Sequence, residues 1–226
     1  MKTKSLLLLF FFTILIACNS RNEKANESKK IIETKHEVNT SIEPKEKLKD
    51  KSIYDSKFLG KENVLINDHK VILTKDEFES IYTQVDSIST QLWECGSPFE
   101  WLDEKWMIKT YGKKNNKSGT FNTFNGEITT IFSQNIQFAT NNHIVLFDTG
   151  FVGNNSFKII SHNITLNKDT TVKEFMSKFP NTEMEKTDYP NEVRFRFYLD
   201  NKSDDCFLFY FKDGKLNYLT LWWLLC

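Results

Sequence analysis

The chain lacks a surplus of either charge. Lys+Arg and Asp+Glu number 30 each in 226 residues, which excludes nucleic-acid binding by bulk electrostatics, since that needs a net basic surface. Glycine and proline are scarce, 8 and 4, so collagen-like and Gly-rich repeat architectures are excluded. No Gly-rich phosphate loop, Gly-x-Ser-x-Gly elbow or His-Glu-x-x-His stretch occurs, and the common catalytic signatures are therefore missing. Neither His-x-x-x-His nor Cys-x-x-Cys spacing is present, so neither a metal nor a cofactor is expected. What the chain has in quantity is aromatic side chains, 14%, with 20 Phe. That excludes a wholly disordered chain, and the length suits one globular domain with something appended.

The appended part is at the N-terminus. Lys2 and Lys4 precede an apolar run from Leu6 to Ala17, broken only by Thr13. A helix of about twelve residues spans ~18 Å, too short for a ~30 Å hydrocarbon core, so residues 1–17 read as an export signal rather than a membrane span. Leu15-Ile16-Ala17-Cys18 resembles the lipobox of bacterial lipoproteins. The resemblance implies cleavage before Cys18, a diacylglyceryl thioether on its sulfur and N-acylation. Each buried methylene contributes ~0.8 kcal/mol, so two or three chains anchor durably. By the sorting rule of enteric lipoproteins, Asn19 in place of Asp implies the outer membrane of a Gram-negative cell envelope.

Residues 19–51 hold 16 charged side chains in 33 and no aromatic. Such a stretch cannot bury enough surface to offset its conformational entropy, and 18–51 is expected to be a lipidated, disordered tether spanning about 30 Å. The globular domain is then 52–226. It carries 19 Lys+Arg and 23 Asp+Glu, a charge of −4, which disfavours direct docking on anionic lipid.

Within the domain, VLINDHKVILTKD (64–76) and FKIISHNITLNKD (157–169) align without gaps at an offset of 93, matching His69 to His162 and Lys75-Asp76 to Lys168-Asp169. Each copy reads as a short hairpin feeding a helix, giving candidate repeats 60–155 and 156–226. The first helix is expected over about 75–92, with a Thr74/Glu77 capping box and an apolar stripe of Phe78, Ile81, Tyr82, Val85, Ile88 and Leu92. The second should start near Asp169 or Thr170, bury Val172, Phe175, Met176 and Phe179, and end at Pro180. A third should begin at Ser97-Pro98-Phe99-Glu100, with Phe99, Leu102 and Trp106 facing inward. Asn125-Gly126 and Asn141-Asn142 read as hairpin turns, and the C-terminal part as three antiparallel strands. The fold class is α+β, an antiparallel sheet packed by amphipathic helices. Tandem strand–helix–sheet units of this kind resemble the beta-lactamase-inhibitor-protein-like repeats, which implies a binding sheet rather than a catalytic pocket.

Alternation divides the last sheet. A three-residue turn at Lys212-Asp213-Gly214 sets Phe195, Phe197, Phe207, Phe209, Phe211, Leu219, Leu221 and Trp223 on one face. Arg194, Arg196, Tyr198, Tyr210, Tyr218 and Trp222 then stand on the other, while a two-residue turn would exchange the assignment of the last strand. Tyr, Trp and Arg are the types enriched at binding hot spots, so that face is the candidate partner surface.

Three cysteines remain beyond Cys18. A Cys95–Cys226 disulfide would close a loop of about 130 residues, worth roughly 4–5 kcal/mol, and leave Cys206 as a buried thiol; Cys95–Cys206 is the alternative. Glu94, Glu100, Asp103 and Glu104 lie among Trp93, Trp101 and Trp106, a composition that also suits a sugar site. Three functions follow: a membrane-anchored envelope lipoprotein whose sheet binds a protein, as an inhibitor does; an envelope protein that binds or hydrolyses glycans through the Trp93–Trp106 cluster; or a structural lipoprotein with no specific ligand.

Overall fold

The computed structural model describes residues 57–115 and 120–225; the expected export signal, Cys18 and the expected tether lie outside the described residues. The domain combines antiparallel sheets with short helices, as the α+β reading requires. Its elements are β1 (Val64–Ile66), β2 (His69–Lys70), β3 (Ile72–Thr74), α1 (Lys75–Ile81), β4 (Ser87–Leu92), α2 (Phe99–Leu102), α3 (Glu104–Tyr111), β5 (Glu127–Ser133), β6 (Ile136–Thr140), β7 (Ile144–Phe151), β8 (Phe157–Ile159), β9 (Ile164–Leu166), α4 (Val172–Lys178), β10 (Met184–Lys186), β11 (Glu192–Tyr198), β12 (Cys206–Lys212) and β13 (Lys215–Trp222).

The large sheet runs β10-β11-β12-β13-β7-β6-β5-β4. Four strands on either side of the β7–β13 joint thus follow the same outward sequence. At the joint Leu219 lies opposite Gly150. Gly150 is required there: a Cβ would stand 2.9 Å from the Phe147 ring and 3.0 Å from that of Phe157. The N-terminal half of β7 pairs with β3, Ile72 opposite Leu146. A second, small sheet runs β2-β1-β8-β9. In it Leu65 lies opposite Lys158, flanked by Val64–Ile159 and Ile66–Phe157, so the two 93-offset segments pair with each other.

Helices α1 and α4 are both started by full capping boxes, Thr74 with Glu77 and Thr171 with Glu174. Each threonine hydroxyl accepts a backbone N–H, and each glutamate accepts the threonine's own N–H, leaving fewer unpaired donors in the first turn. Both then place a phenylalanine on one face of the large sheet. Phe78 meets Phe138 at 4.9 Å between ring centroids. Phe175, fully buried, meets Phe195, Phe209 and Phe211 within 5.3 Å.

Several expectations are corrected. The first helix ends at Ile81, and 87–92 is the strand β4. Beyond Tyr82 the β-branched residues Val85, Ile88 and Thr90 favour extended backbone over another helical turn. Ile88 and Leu92, expected in the core, are 63% and 60% exposed. In α4, Met176 is exposed while Phe175 and Phe179 are buried. The constant offset of 93 does not hold into the helices. Lys75 is the first residue of α1, whereas Lys168-Asp169 precede α4, whose cap is Thr171. The third helix is broken at Asp103 into α2 and α3, and Met107 rather than Trp106 is fully buried. Ser97 makes only half of its box: its N–H reaches Glu100, but its hydroxyl has no partner.

Asn125-Gly126 does not join two strands. Gly126 has φ 84 and its carbonyl accepts the Trp93 N–H, so the turn leads into β5 beside β4. The β5–β6 turn is instead Gln134-Asn135, with φ 53 and 62. Asn141-Asn142 does lie between β6 and β7, where Asn141 Oδ1 accepts from the N–H of His143 and Ile144. The β12–β13 turn is the two-residue Asp213-Gly214, with φ 50 and 79 and Lys212 opposite Lys215. A bulge after Phe211–Leu216 then brings Tyr210 opposite Tyr218. The extra residue shifts the period by one and restores the faces that a three-residue turn would give.

Candidate functional site

The six residues expected on the partner face are brought together on one face of β11–β13. The register sets them in rows across the strands. Arg194, Tyr210, Tyr218 and Phe151 form one row, Arg196, Leu208, Thr220 and Thr149 the next, and Tyr198, Cys206 and Trp222 the third. The opposite face is a phenylalanine layer: Phe195, Phe197, Phe207, Phe209 and Phe211 are all buried to 1% exposure or less beneath α4. Burial of that layer fixes the register, and the register delivers the polar rows to the other side.

Glu185 on β10 organises the arginines. Its carboxylate accepts from Arg194 Nε at 2.7 Å and from Arg196 Nε at 2.9 Å. The Arg196 guanidinium holds this carboxyl below the usual range, with Arg194 contributing, since an adjacent cation favours the charged form. Arg194 also donates to the Tyr210 hydroxyl at 3.4 Å. Tyr210 stacks on Tyr218 at 4.2 Å between centroids, and Phe151 follows at 5.4 Å. Arg196 and Lys57 both lie over the Tyr198 ring, 5.9 and 5.6 Å from its centroid. Burial pushes the Tyr218 hydroxyl up to about 12, so it stays a donor at every physiological pH.

The face is graded in exposure. Phe151 and Trp222 are exposed, the Arg and Tyr side chains are half-buried against one another, and Leu208 and Cys206 beneath them are buried. Burial pushes the Cys206 thiol up to about 11, which keeps it protonated and unreactive. At the other end of the same face, Ile128, Ala139 and Leu146 are at most 1% exposed. The segment carrying α2 and α3 reaches this end, where Asn141 Nδ2 bonds Asp103 and contacts Met107 Sδ. The accessible part is therefore the β11–β13 half together with the end of β7.

Sequence reasoning missed Glu185 and Phe151. Glu185 sits in a three-residue strand too short to show alternation, and Phe151 joins the row only through the β7–β13 pairing, which no local pattern signals.

Residues of the Trp93–Trp106 acidic stretch take separate partners. Glu100 is 7% exposed, accepts the Ser97 N–H and pairs with Lys114 at 3.7 Å. Asp103 accepts from Asn141 and lies 2.8 Å from His143 Nδ1, and the His143 ring stacks on Trp106 at 5.0 Å. Trp101 instead turns to Trp223, 5.9 Å away. The two line an open cleft of about 450 Å³ with Leu199, Asp200, Lys202 and Asp205. Among the described residues, no group of three or more His, Cys, Asp and Glu side chains is placed to hold a metal ion, and no helix is long and apolar enough to cross a membrane. His69 packs edge-on to Tyr82 at 6.4 Å, and His162 against Phe179 at 4.2 Å. Cys206 is a free thiol and Cys95 is not; Cys226 lies outside the described residues.

No family model, curated protein or solved structure matches the chain.

Proposed function

We propose that this chain is a lipid-anchored envelope lipoprotein whose domain binds a protein partner through the β11–β13 face, in the manner of an inhibitor. The observation that carries the reading is the set of rows built on Arg194, Arg196 and Tyr210–Tyr218 around Glu185. The arginines and tyrosines are fixed before any partner arrives, so little side-chain entropy remains to be lost on binding. Large aromatics with polar tips surround a dry centre at Leu208, the arrangement of a binding hot spot. The lipobox and charged tether supply the anchoring side of the proposal, with the outer membrane of a Gram-negative cell as its place.

The two-repeat organisation belongs to the same proposal. Its support is the matched strand order about the β7–β13 joint, the reciprocal pairing of β1 with β8, and the paired Thr-x-x-Glu-Phe-x-Ser starts of α1 and α4. That organisation resembles the beta-lactamase-inhibitor-protein-like repeats in architecture.

The test compares wild-type chain with Arg194→Ala and Trp222→Ala in pull-downs from envelope extract. The proposal expects one or more partners to be captured by wild type and lost from both variants. Identical captures would remove the face from consideration. Labelled palmitate, expected on wild type and absent from Cys18→Ala, tests the anchor separately.

A second reading, glycan binding, is supported by the Trp101–Trp223 cleft, where indole surface borders carboxylates and amines. Quenching of tryptophan fluorescence by oligosaccharides, abolished in Trp101→Ala, would favour it.

A further inference from the structure

The large sheet has two edges, and they differ. At one edge β10 is only three residues long and carries Glu185 and Lys186, and Phe58 bridges to Tyr198 farther along the same flank. These are the short length, charge and cover by which proteins blunt an edge. At the other edge β4, Ser87-Ile-Ser-Thr-Gln-Leu92, is six residues long, has no charge and no proline, and is exposed throughout. Ile88 and Leu92 stand 63% and 60% exposed there.

The phase of its backbone follows from the β4–β5 ladder. Ser87 lies opposite Phe132 and Leu92 opposite Glu127, and the next N–H, of Trp93, donates to Gly126 O at 2.9 Å. Antiparallel pairs alternate, so Ser87, Ser89 and Gln91 turn their N–H and C=O groups toward β5, and Ile88, Thr90 and Leu92 turn theirs outward. The side chains of those same three residues share one face, that of Ile131, which lies opposite Ile88.

We propose that the β4 edge pairs with β4 of a second copy of this chain, antiparallel, about a twofold axis at Thr90. This register sets Thr90 opposite Thr90, and Ile88 of each copy opposite Leu92 of the other. Each outward N–H then meets an outward C=O. Both exposed apolar side chains gain an apolar cross-strand neighbour, and no charge lies within the paired six residues; beyond each strand end the register brings Asp86 of one copy toward Glu94 of the other, which adds to the expected weakness of the joint. The contact is isologous and closes at two copies. The self-complementary spacing of Ile88 and Leu92 about Thr90 favours a second copy as occupant, since a foreign strand would need no such symmetry. The joint lies at the far end of the sheet from Arg194 and on no part of the proposed partner face, so the two proposals stand or fall separately.

An edge joint buries less than the ~800 Å² per partner of a standard interface, so the dimer should depend on concentration. Sedimentation equilibrium of the full chain, in detergent density-matched to the solvent, is expected to show monomer and dimer exchanging across a concentration series. Thr90→Pro, which removes an outward N–H that an edge strand can spare, should weaken the dimer about tenfold or more. Ile88→Lys and Leu92→Glu should each weaken it as well. Mixing those two variants should restore a dimer, because position 88 of one copy faces position 92 of the other. Circular dichroism matching wild type checks that each variant is folded. A wild type that stays monomeric at every concentration overturns the proposal and leaves the edge to another protein's strand. So does a dimer indifferent to Thr90→Pro, or a mixture no tighter than its components.

Discussion

Tyr210 and Tyr218 stack with ring planes 12° from parallel and centroids 4.2 Å apart, and they meet only because a bulge follows a turn one residue shorter than the strand faces demand. The two faces of β12 and β13 are thereby given different side chains, one apolar and one polar-tipped. The phenylalanine face holds the strands in place, and the tyrosine face is left to present polar tips.

Phe175 is the centre of the helix-side core, in contact with Phe179, Phe195, Phe197, Phe209 and Phe211. Phe175→Ala is expected to cost about 3–5 kcal/mol, and Met176→Ala, its exposed neighbour, less than about 1 kcal/mol. Urea unfolding monitored by tryptophan fluorescence reads the difference.

Removing either helix cap should be visible but survivable. Thr171→Ala loses the hydroxyl that accepts the Glu174 N–H and should cost about 1 kcal/mol, as should Thr74→Ala at the matching position. Serine at either site should recover most of the loss in a thermal melt.

The Glu185 carboxyl is held below its ordinary value by Arg196 and then Arg194. A depressed carboxylate stabilises the fold above its unfolded pKa of about 4.3, and that contribution disappears as pH falls through the lower folded value. Glu185→Gln should therefore be less stable than wild type at neutral pH and converge on it in acid. Melting temperatures measured from pH 7 to pH 3 give the comparison.

Asp148 has the opposite sign. Burial raises its carboxyl, opposed only by the bond from Gln137. A carboxyl whose folded pKa lies above its unfolded one weakens the fold at pH values above the folded pKa, and the penalty vanishes below the unfolded value of about 3.9. Asp148→Asn, which can still accept from Gln137, should raise the melting temperature at pH 7 and change little near pH 3.

Cys206, with its thiol at about 11 and fully buried, should resist alkylation at pH 8 in the native state and react only in denaturant. Peptide mapping of the non-reduced chain is expected to yield Cys95 joined to Cys226. A fragment joining Cys95 to Cys206 would refute that pairing.

Where local chemistry is self-sufficient, the amino-acid sequence announced the element. The capping box at Thr74, the strand alternation from Val193 to Tyr198 and the stop at Pro180 depend on neighbours a few residues apart. Where two segments compete, it did not. The stripe through Ile88 and Leu92 satisfies helical spacing as well as it satisfies a strand, and pairing with β5 decided between them. Gly126 takes a positive φ in either arrangement, but Asn125 does not take the one an Asn-Gly hairpin turn needs, and the placement of Trp93 beside Gly126 made the pair a lead-in rather than a hairpin.

By itself the sequence determined that an aromatic-rich α+β domain follows an apolar run and a charged stretch, and that alternate residues of the last strands separate phenylalanine from arginine and tyrosine. Tertiary structure alone decided that Glu185 would clamp both arginines, that Phe151 would extend the tyrosine row and that β4 would be left as an open edge. The reason is physical: alternation and capping are set within a few bonds, whereas strand order and register are set by which distant surfaces bury each other best, and no short stretch of chain carries that information.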